Sequence, residues 1–154
     1  MPHTQVIEIG ARSPELGAAS KLFDRYRSFY GKPTNLSLAH HYLRERLAAN
    51  DSTVLLARLE DRWVGFCQVY RGFSSISCSR TAILNDLYVD VDHRSAGVGR
   101  ALIAHAIAMS RRAGVAFVVL ETAETNSRAQ ALCEELGFER SRGFVGYSMC
   151  LCPT

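Results

Sequence analysis

A chain of 154 residues, 47% apolar and 21% charged, is the size of one domain and can bury roughly 70% of its unfolded surface. These proportions exclude a disordered or fibrous chain, and the longest purely apolar run, Val115 to Leu120, is too short to span a bilayer. A net charge of +3 with no basic run gives no nucleic-acid footprint and suits an anionic small ligand.

The opening stretch Met1-Pro2-His3-Thr4-Gln5 lacks the basic-then-apolar pattern of a secretory leader, so a cytoplasmic chain is expected. Five scattered cysteines, an odd number, read as reduced thiols rather than a disulfide scaffold. With no repeat or linker, residues 1–154 read as a single domain.

Thr4 to Ile9 alternates and predicts a first strand. Ser13-Pro14-Glu15 reads as a helix start, and Leu16, Leu22, Phe23, Tyr26 and Phe29 fall at helical spacing to Phe29. A second helix fits Ser37 to Ala49. The period then changes to two. Thr53 to Leu59 and Trp63 to Arg71 predict a hairpin about Glu60-Asp61-Arg62, and Ala82 to Val91 predicts another strand. A long helix is expected from Gly97 to Ala113, closed by Arg111, Arg112 and Gly114. Val115 to Glu121 reads as a buried central strand, Ser127 to Leu136 as a helix, and Phe144 to Leu151 as a last strand. Strands that meander and then enter a βαβ unit define a mixed α+β class around one sheet.

The segment from Val89 to Leu102 carries most chemical information. A strand enters a loop with Arg94, Gly97 and Gly99, and the loop opens a helix. Backbone N–H groups at such a start form an anion site, to which Arg94 and Arg100 add charge. A P-loop needs Lys and Ser/Thr after its last glycine, where Arg100 and Ala101 stand. A dinucleotide fingerprint needs a third glycine, where Leu102 stands, and too little chain follows for a nucleotide-binding half.

The remaining pattern is Arg-x-x-Gly-x-Gly, present as Arg94-Ser95-Ala96-Gly97-Val98-Gly99. With the strand Leu84-Asn85-Asp86-Leu87-Tyr88-Val89 before it and Asn126 to Phe138 after it, the chain resembles the GNAT superfamily of N-acetyltransferases over nearly its whole length. The resemblance implies a mostly antiparallel sheet of about six or seven strands, splayed between strands 4 and 5, with about four helices. It also implies acetyl-CoA as cosubstrate and no metal. The backbone of Leu87, Tyr88 and Val89 would pair with the pantetheine amides as an added strand. Residues Arg94, Ser95, Ala96, Gly97, Val98, Gly99, Arg100 and Ala101 would hold the pyrophosphate. Asn126, Ala129 and Cys133 would line the pantetheine arm. Ser95 stands where many members have glycine.

The implied reaction moves acetyl from a thioester to a primary amine. Asp86 is the first choice of base, with Glu121 second and Glu124 third. The Leu87 N–H is the expected donor to the developing oxyanion. The segment around Asp86 is similar to the spermidine/spermine branch, and to histone-type enzymes, but that branch has two adjacent acids and Asn85 replaces the first. Cys133 stands where the family has its tyrosine acid, and Tyr147 or water is the alternative donor. Tyr26 and Tyr30 are candidate acceptor contacts, because the first two helices often roof that site in the family.

Each candidate also has a plainer reading. Asp86 reads equally as a salt-bridged strand residue, Glu121 as a turn cap, and Cys133 as a packed helical thiol. The Tyr26 and Tyr30 group reads as core, and Cys150-x-Cys152 as packing rather than metal ligation. The function expected is acetyl transfer to a small polyamine-like or amino-sugar acceptor. A lysine-directed protein acetyltransferase and a non-catalytic acyl-CoA sensor are the alternatives. The alternation of Val145, Tyr147, Met149 and Leu151 offers an edge for a second copy, so a homodimer is expected.

Overall fold

The computed structural model describes residues 3–152. Met1 and Pro2, which open the stretch read for a leader, lie outside the described residues. The chain divides between Glu121 and Thr122 into two compact units.

The first unit contains β1 (Thr4–Ile9), α1 (Leu16–Phe29), α2 (Leu36–Ala48), β2 (Ser52–Leu59), β3 (Arg62–Ser74), β4 (Ser79–Val89), a 3-10 turn (Val91–His93), α3 (Val98–Arg112) and β5 (Phe117–Leu120). The sheet order is β1-β2-β3-β4-β5. The first four strands pair antiparallel, and β5 runs parallel to β4 after the α3 crossover. This is the expected mixed α+β fold, with five strands rather than six or seven and with four α-helices among the described residues.

Period two sorts the core onto two faces. On one face, Ile9, Val54, Leu56 and Phe66 pack with Leu16, Leu22 and Phe23 of α1 and Leu43 of α2. On the other, α3 lays Val98 and Leu102 against Gly65, where an added Cβ would stand 2.7 Å from Val98 and 3.1 Å from Ala57. Gly65 is thus what lets the helix approach β3. Helix α2 starts one residue earlier than its periodicity suggests, because Asn35 caps it by accepting from the Leu38 N–H at 3.0 Å. Helix α1 starts later, since Ser13 is engaged with the Gly10 N–H at 2.8 Å.

Two strand expectations are corrected. Val115 to Glu121 is not a central strand: β5 spans Phe117–Leu120 at the sheet edge, and Phe117 and Val119 are exposed. An apolar run specifies burial but not which edge receives a neighbour. The second unit holds α4 (Ser127–Glu135), and residues 138–152 form no helix or strand. Phe144, Val145, Tyr147, Met149 and Leu151 are exposed there, as are Cys150 and Cys152, which therefore do not pack as expected. Alternation defines two sides of an extended segment, but a strand also needs a hydrogen-bonded neighbour.

Candidate active site

The pairing of β4 with β5 covers only Thr81 to Leu84, opposite Phe117 to Leu120. Beyond Leu84, β4 continues to Val89 with β3 on one side and no β5 partner on the other among the described residues. The pairing therefore stops at Leu84, where β5 itself ends at Leu120. The backbone edge of Leu87 and Tyr88 has no strand partner beyond β3 among the described residues and could take an extended ligand, while the Val89 carbonyl accepts from Arg94.

At the same point the β3–β4 register shifts. Gln68 faces Asp86 while Val69 faces Leu84, so Asn85 is the extra residue of a bulge in β4. The bulge reverses which face the following side chains take. Leu84 lies with the α3 face, whereas Asp86 and Tyr88 join the face covered by α1 and α2.

Asp86 is buried, with 5% of its surface exposed, and its carboxylate is surrounded by donors. The Gln68 Nε2 donates to it at 2.9 Å and the Asn85 Nδ2 at 3.0 Å. The Tyr26 hydroxyl lies near enough to feel its charge. Burial, reinforced by the Asp86 charge, pushes the Tyr26 hydroxyl well above the ordinary tyrosine range, so it stays protonated. Burial and then the hydrogen bond to Tyr42, at 2.6 Å, do the same for Tyr70. Cys67 beside them is fully buried and is held as a thiol, by burial first and by Asp86 second.

Tyr26 and Tyr30 meet edge to face, with centroids 5.0 Å apart. With Phe23, Tyr42, Arg27 and Lys32 they line an open groove of about 400 Å³. Tyr26 thus lines the groove, and its hydroxyl feels the Asp86 charge. The first two helices present aromatic rings to a cavity.

The glycine turn is tied back to the sheet. The Asp90 N–H donates to the Val64 carbonyl at 2.8 Å, and Arg25 of α1 grips the Asp90 carboxylate at 2.9 Å. Ser95 (φ 72°) and Gly97 (φ 80°) both lie in the left-handed region. That conformation costs a serine about 1–2 kcal/mol and explains why glycine suits position 95 in the family. Gly97 has no side chain to cap α3, and Ala101 closes the first turn by donating to its carbonyl at 3.0 Å. A helix start in which Gly97 supplies no capping side chain, entered through left-handed residues, fits a pyrophosphate. Val98 buries its side chain in the core and Ala96 is exposed, so both offer the turn their backbone. Arg94 is directed elsewhere: its Nε donates to the Val89 carbonyl at 3.0 Å, and its guanidinium lies over Phe29 and Tyr88.

Glu121 is exposed just after β5. In the second unit, Asn126 caps α4 by accepting from the Ala129 N–H at 3.1 Å. Cys133 is buried, and burial followed by the neighbouring Glu134 raises its thiol pKa. Tyr147 is exposed. The sequence reading did not single out Gln68, Ser52, Tyr42 or Tyr70. The available signal was a lone glutamine inside the apolar run of β3, a position that demands a buried partner.

The pattern of the Acetyltransferase (GNAT) family matches residues 19–138, and the chain belongs to this family. It is 35% identical over 139 residues to the uncharacterized N-acetyltransferase YhfO of Bacillus subtilis (strain 168), covering 90% of this chain and 93% of that protein. A crystal structure of a probable acetyltransferase, 32% identical, superposes with a TM-score of 0.88 over 97% of this chain and 99% of that one. An aminoglycoside N-acetyltransferase, AAC(6')-Iy in complex with CoA, shares the fold at a TM-score of 0.79 and 20% identity, covering 99% and 97%. Over 60 residues, 39% of this chain and 40% of the other, it is 42% identical to the [ribosomal protein bS18]-alanine N-acetyltransferase of Escherichia coli (strain K12). The protein is an acyltransferase of a family that uses acetyl-CoA.

Proposed function

We propose that the protein transfers the acetyl group of acetyl-CoA directly to a primary amine of a small molecule. The observation that carries this reading is the open half of β4, which runs from a buried carboxylate at Asp86 to an anion-binding turn at Ser95–Gly97. Acetyl-CoA is long, amide-bearing and anionic at one end, and this geometry suits each property. Leu87, Tyr88 and Val89 take the pantetheine arm, and the N–H groups from Ser95 to Ala101 take the pyrophosphate. Arg94 supports this turn by anchoring it to Val89, and Arg100 adds charge within the first turn of α3.

The cosubstrate supplies a thioester carbonyl. The amine nitrogen attacks it, a C–N bond forms and the C–S bond breaks. The Leu87 N–H is the donor to the oxygen as it gains charge. The proton leaving nitrogen ends on Asp86, passing through the Tyr26 hydroxyl because Asp86 itself is nearly covered. Glu121, exposed beyond β5, is the second candidate base. The departing thiolate takes a proton from water, with Cys133 and Tyr147 as the chain's own candidate donors. Asn126 and Ala129 remain pantetheine contacts on the strength of the family pattern.

Within the small-molecule class, Arg27 and Lys32 on the aromatic groove count against a polycation and favour an amino-sugar-like acceptor. The similarity to the spermidine/spermine branch accordingly rests on the residues around Asp86 alone. The likeness to a ribosomal-protein acetyltransferase favours a second reading, a polypeptide amine. A single domain is supported by a family match that crosses the divide at Glu121. A homodimer is supported by the bare apolar side chains of residues 144–151. No helix among the described residues is long and apolar enough to cross a membrane, which accords with a cytoplasmic enzyme.

Asp86→Asn tests the base. We expect kcat to fall at least a hundredfold with acetyl-CoA affinity preserved, in line with the usual worth of a general base. Full activity in a folded variant contradicts the assignment.

A further inference from the structure

We infer that Gln68 is the positioning residue that hydrogen-bonds and orients the Asp86 carboxylate for proton transfer, with Ser52 fixing Gln68 in turn. This rests on the reading of Asp86 as the base.

Three buried polar side chains form a row across β2, β3 and β4. The Ser52 Oγ lies 3.0 Å from the Gln68 Oε1, and the Gln68 Nε2 lies 2.9 Å from the Asp86 Oδ2. Their exposures are 3%, 0% and 5%. All three occupy the face beneath α1 and α2, because Gln68 stands directly opposite Asp86 and two strands' opposed residues share a face. Around them lie Val54, Leu56 and Phe66, fully buried, and Tyr70, which stands opposite Ser52 and whose hydroxyl, like that of Tyr26, feels the Asp86 charge.

The chemistry gives the row a direction. An ionised carboxylate only accepts, so the amide must turn its NH₂ towards Asp86. Its oxygen is then left facing Ser52, whose hydroxyl must donate. A buried amide costs free energy unless both ends are satisfied, and here both are. The row therefore donates to the Asp86 carboxylate from the closed side of the sheet, while Tyr26, whose hydroxyl feels the Asp86 charge, lines the groove. The bulge at Asn85 makes this possible, because it places Asp86 rather than Asn85 against Gln68.

Removing a donor to the ionised form raises a carboxyl pKa. The test is a carbon-13 NMR titration of the aspartate carboxyl carbons, with Asp86 assigned by its absence in Asp86→Asn, paired with kcat. In Gln68→Leu, the Asp86 titration is expected to move up and kcat to fall roughly tenfold, with acetyl-CoA affinity unchanged. Ser52→Ala retains Gln68 and removes only its orienting donor, so it reports the same upward shift if Gln68→Leu does not fold. An unmoved Asp86 titration in a folded Gln68→Leu or Ser52→Ala protein overturns the inference. Full kcat in Asp86→Asn overturns the base reading instead, so the two failures are distinguishable.

Discussion

Arg25 on α1 holds Asp90 at 2.9 Å, and Asp90 is the residue that follows β4 and begins the descent into the glycine turn. The Asp90 N–H is meanwhile fixed to Val64 at 2.8 Å. A helix on one face of the sheet thereby sets where the turn starts. Arg25 is more than half exposed, so the pair contributes at most about 1 kcal/mol to stability. Arg25→Ala is expected to raise the KM for acetyl-CoA roughly two- to fivefold with little change in Tm, because a freed loop must be ordered on binding. Steady-state kinetics and a melting curve check both halves.

Gly97 has φ 80° with open space around its absent Cβ, so a side chain there meets no wall and suffers only backbone strain. Gly97→Val should therefore cost about 1–2 kcal/mol in the turn and weaken acetyl-CoA binding at least tenfold, while the sheet stays folded. Calorimetric titration with acetyl-CoA reads the loss. Undiminished affinity would remove this turn as the pyrophosphate site.

Gly65 faces the opposite constraint. Its φ lies outside the left-handed region, but an added Cβ would stand 2.7 Å from Val98 and 3.0 Å from Leu102. Gly65→Val must push α3 away from β3, an overpacking expected to cost about 1–3 kcal/mol. Chemical denaturation should show a lower midpoint with a similar slope.

Tyr26 and Tyr70 both have hydroxyl pKa values raised above the ordinary tyrosine value, by burial first. A raised folded-state pKa gives stability that is complete below the unfolded value, near about 10, and is lost as pH rises towards the folded one. The wild type should therefore lose stability above about pH 10, and Tyr26→Phe and Tyr70→Phe should each flatten that loss. Urea midpoints measured from neutral to alkaline pH provide the check.

The glycine turn was legible from sequence because its requirements are local. A helix start, a left-handed residue at Gly97 and an apolar strand before it are all written within a dozen residues. The surroundings of Asp86 were not legible. Strict alternation puts Leu84, Asp86 and Tyr88 on one side, and only the bulge at Asn85 separates Asp86 from Leu84. Whether a strand bulges depends on its neighbour, so Gln68 and Ser52 stayed hidden. The same limit explains Val115 to Glu121 and Phe144 to Leu151. Their patterns were read correctly as apolar, but a pattern does not name the strand that covers it.

The most direct measurement is mass spectrometry of products after incubation with acetyl-CoA and pooled amines, comprising polyamines, amino sugars, amino acids, arylamines and lysine-rich peptides. Mass detection avoids thiol reagents, which would also label the five cysteines. The account predicts one acetylated small amine, of amino-sugar rather than polyamine type, formed by the wild type and nearly absent with Asp86→Asn. Acetylation of peptides alone would contradict the small-molecule claim. Saturable acetyl-CoA binding with no acetylated product from any class would contradict catalysis of amine acetylation at this site.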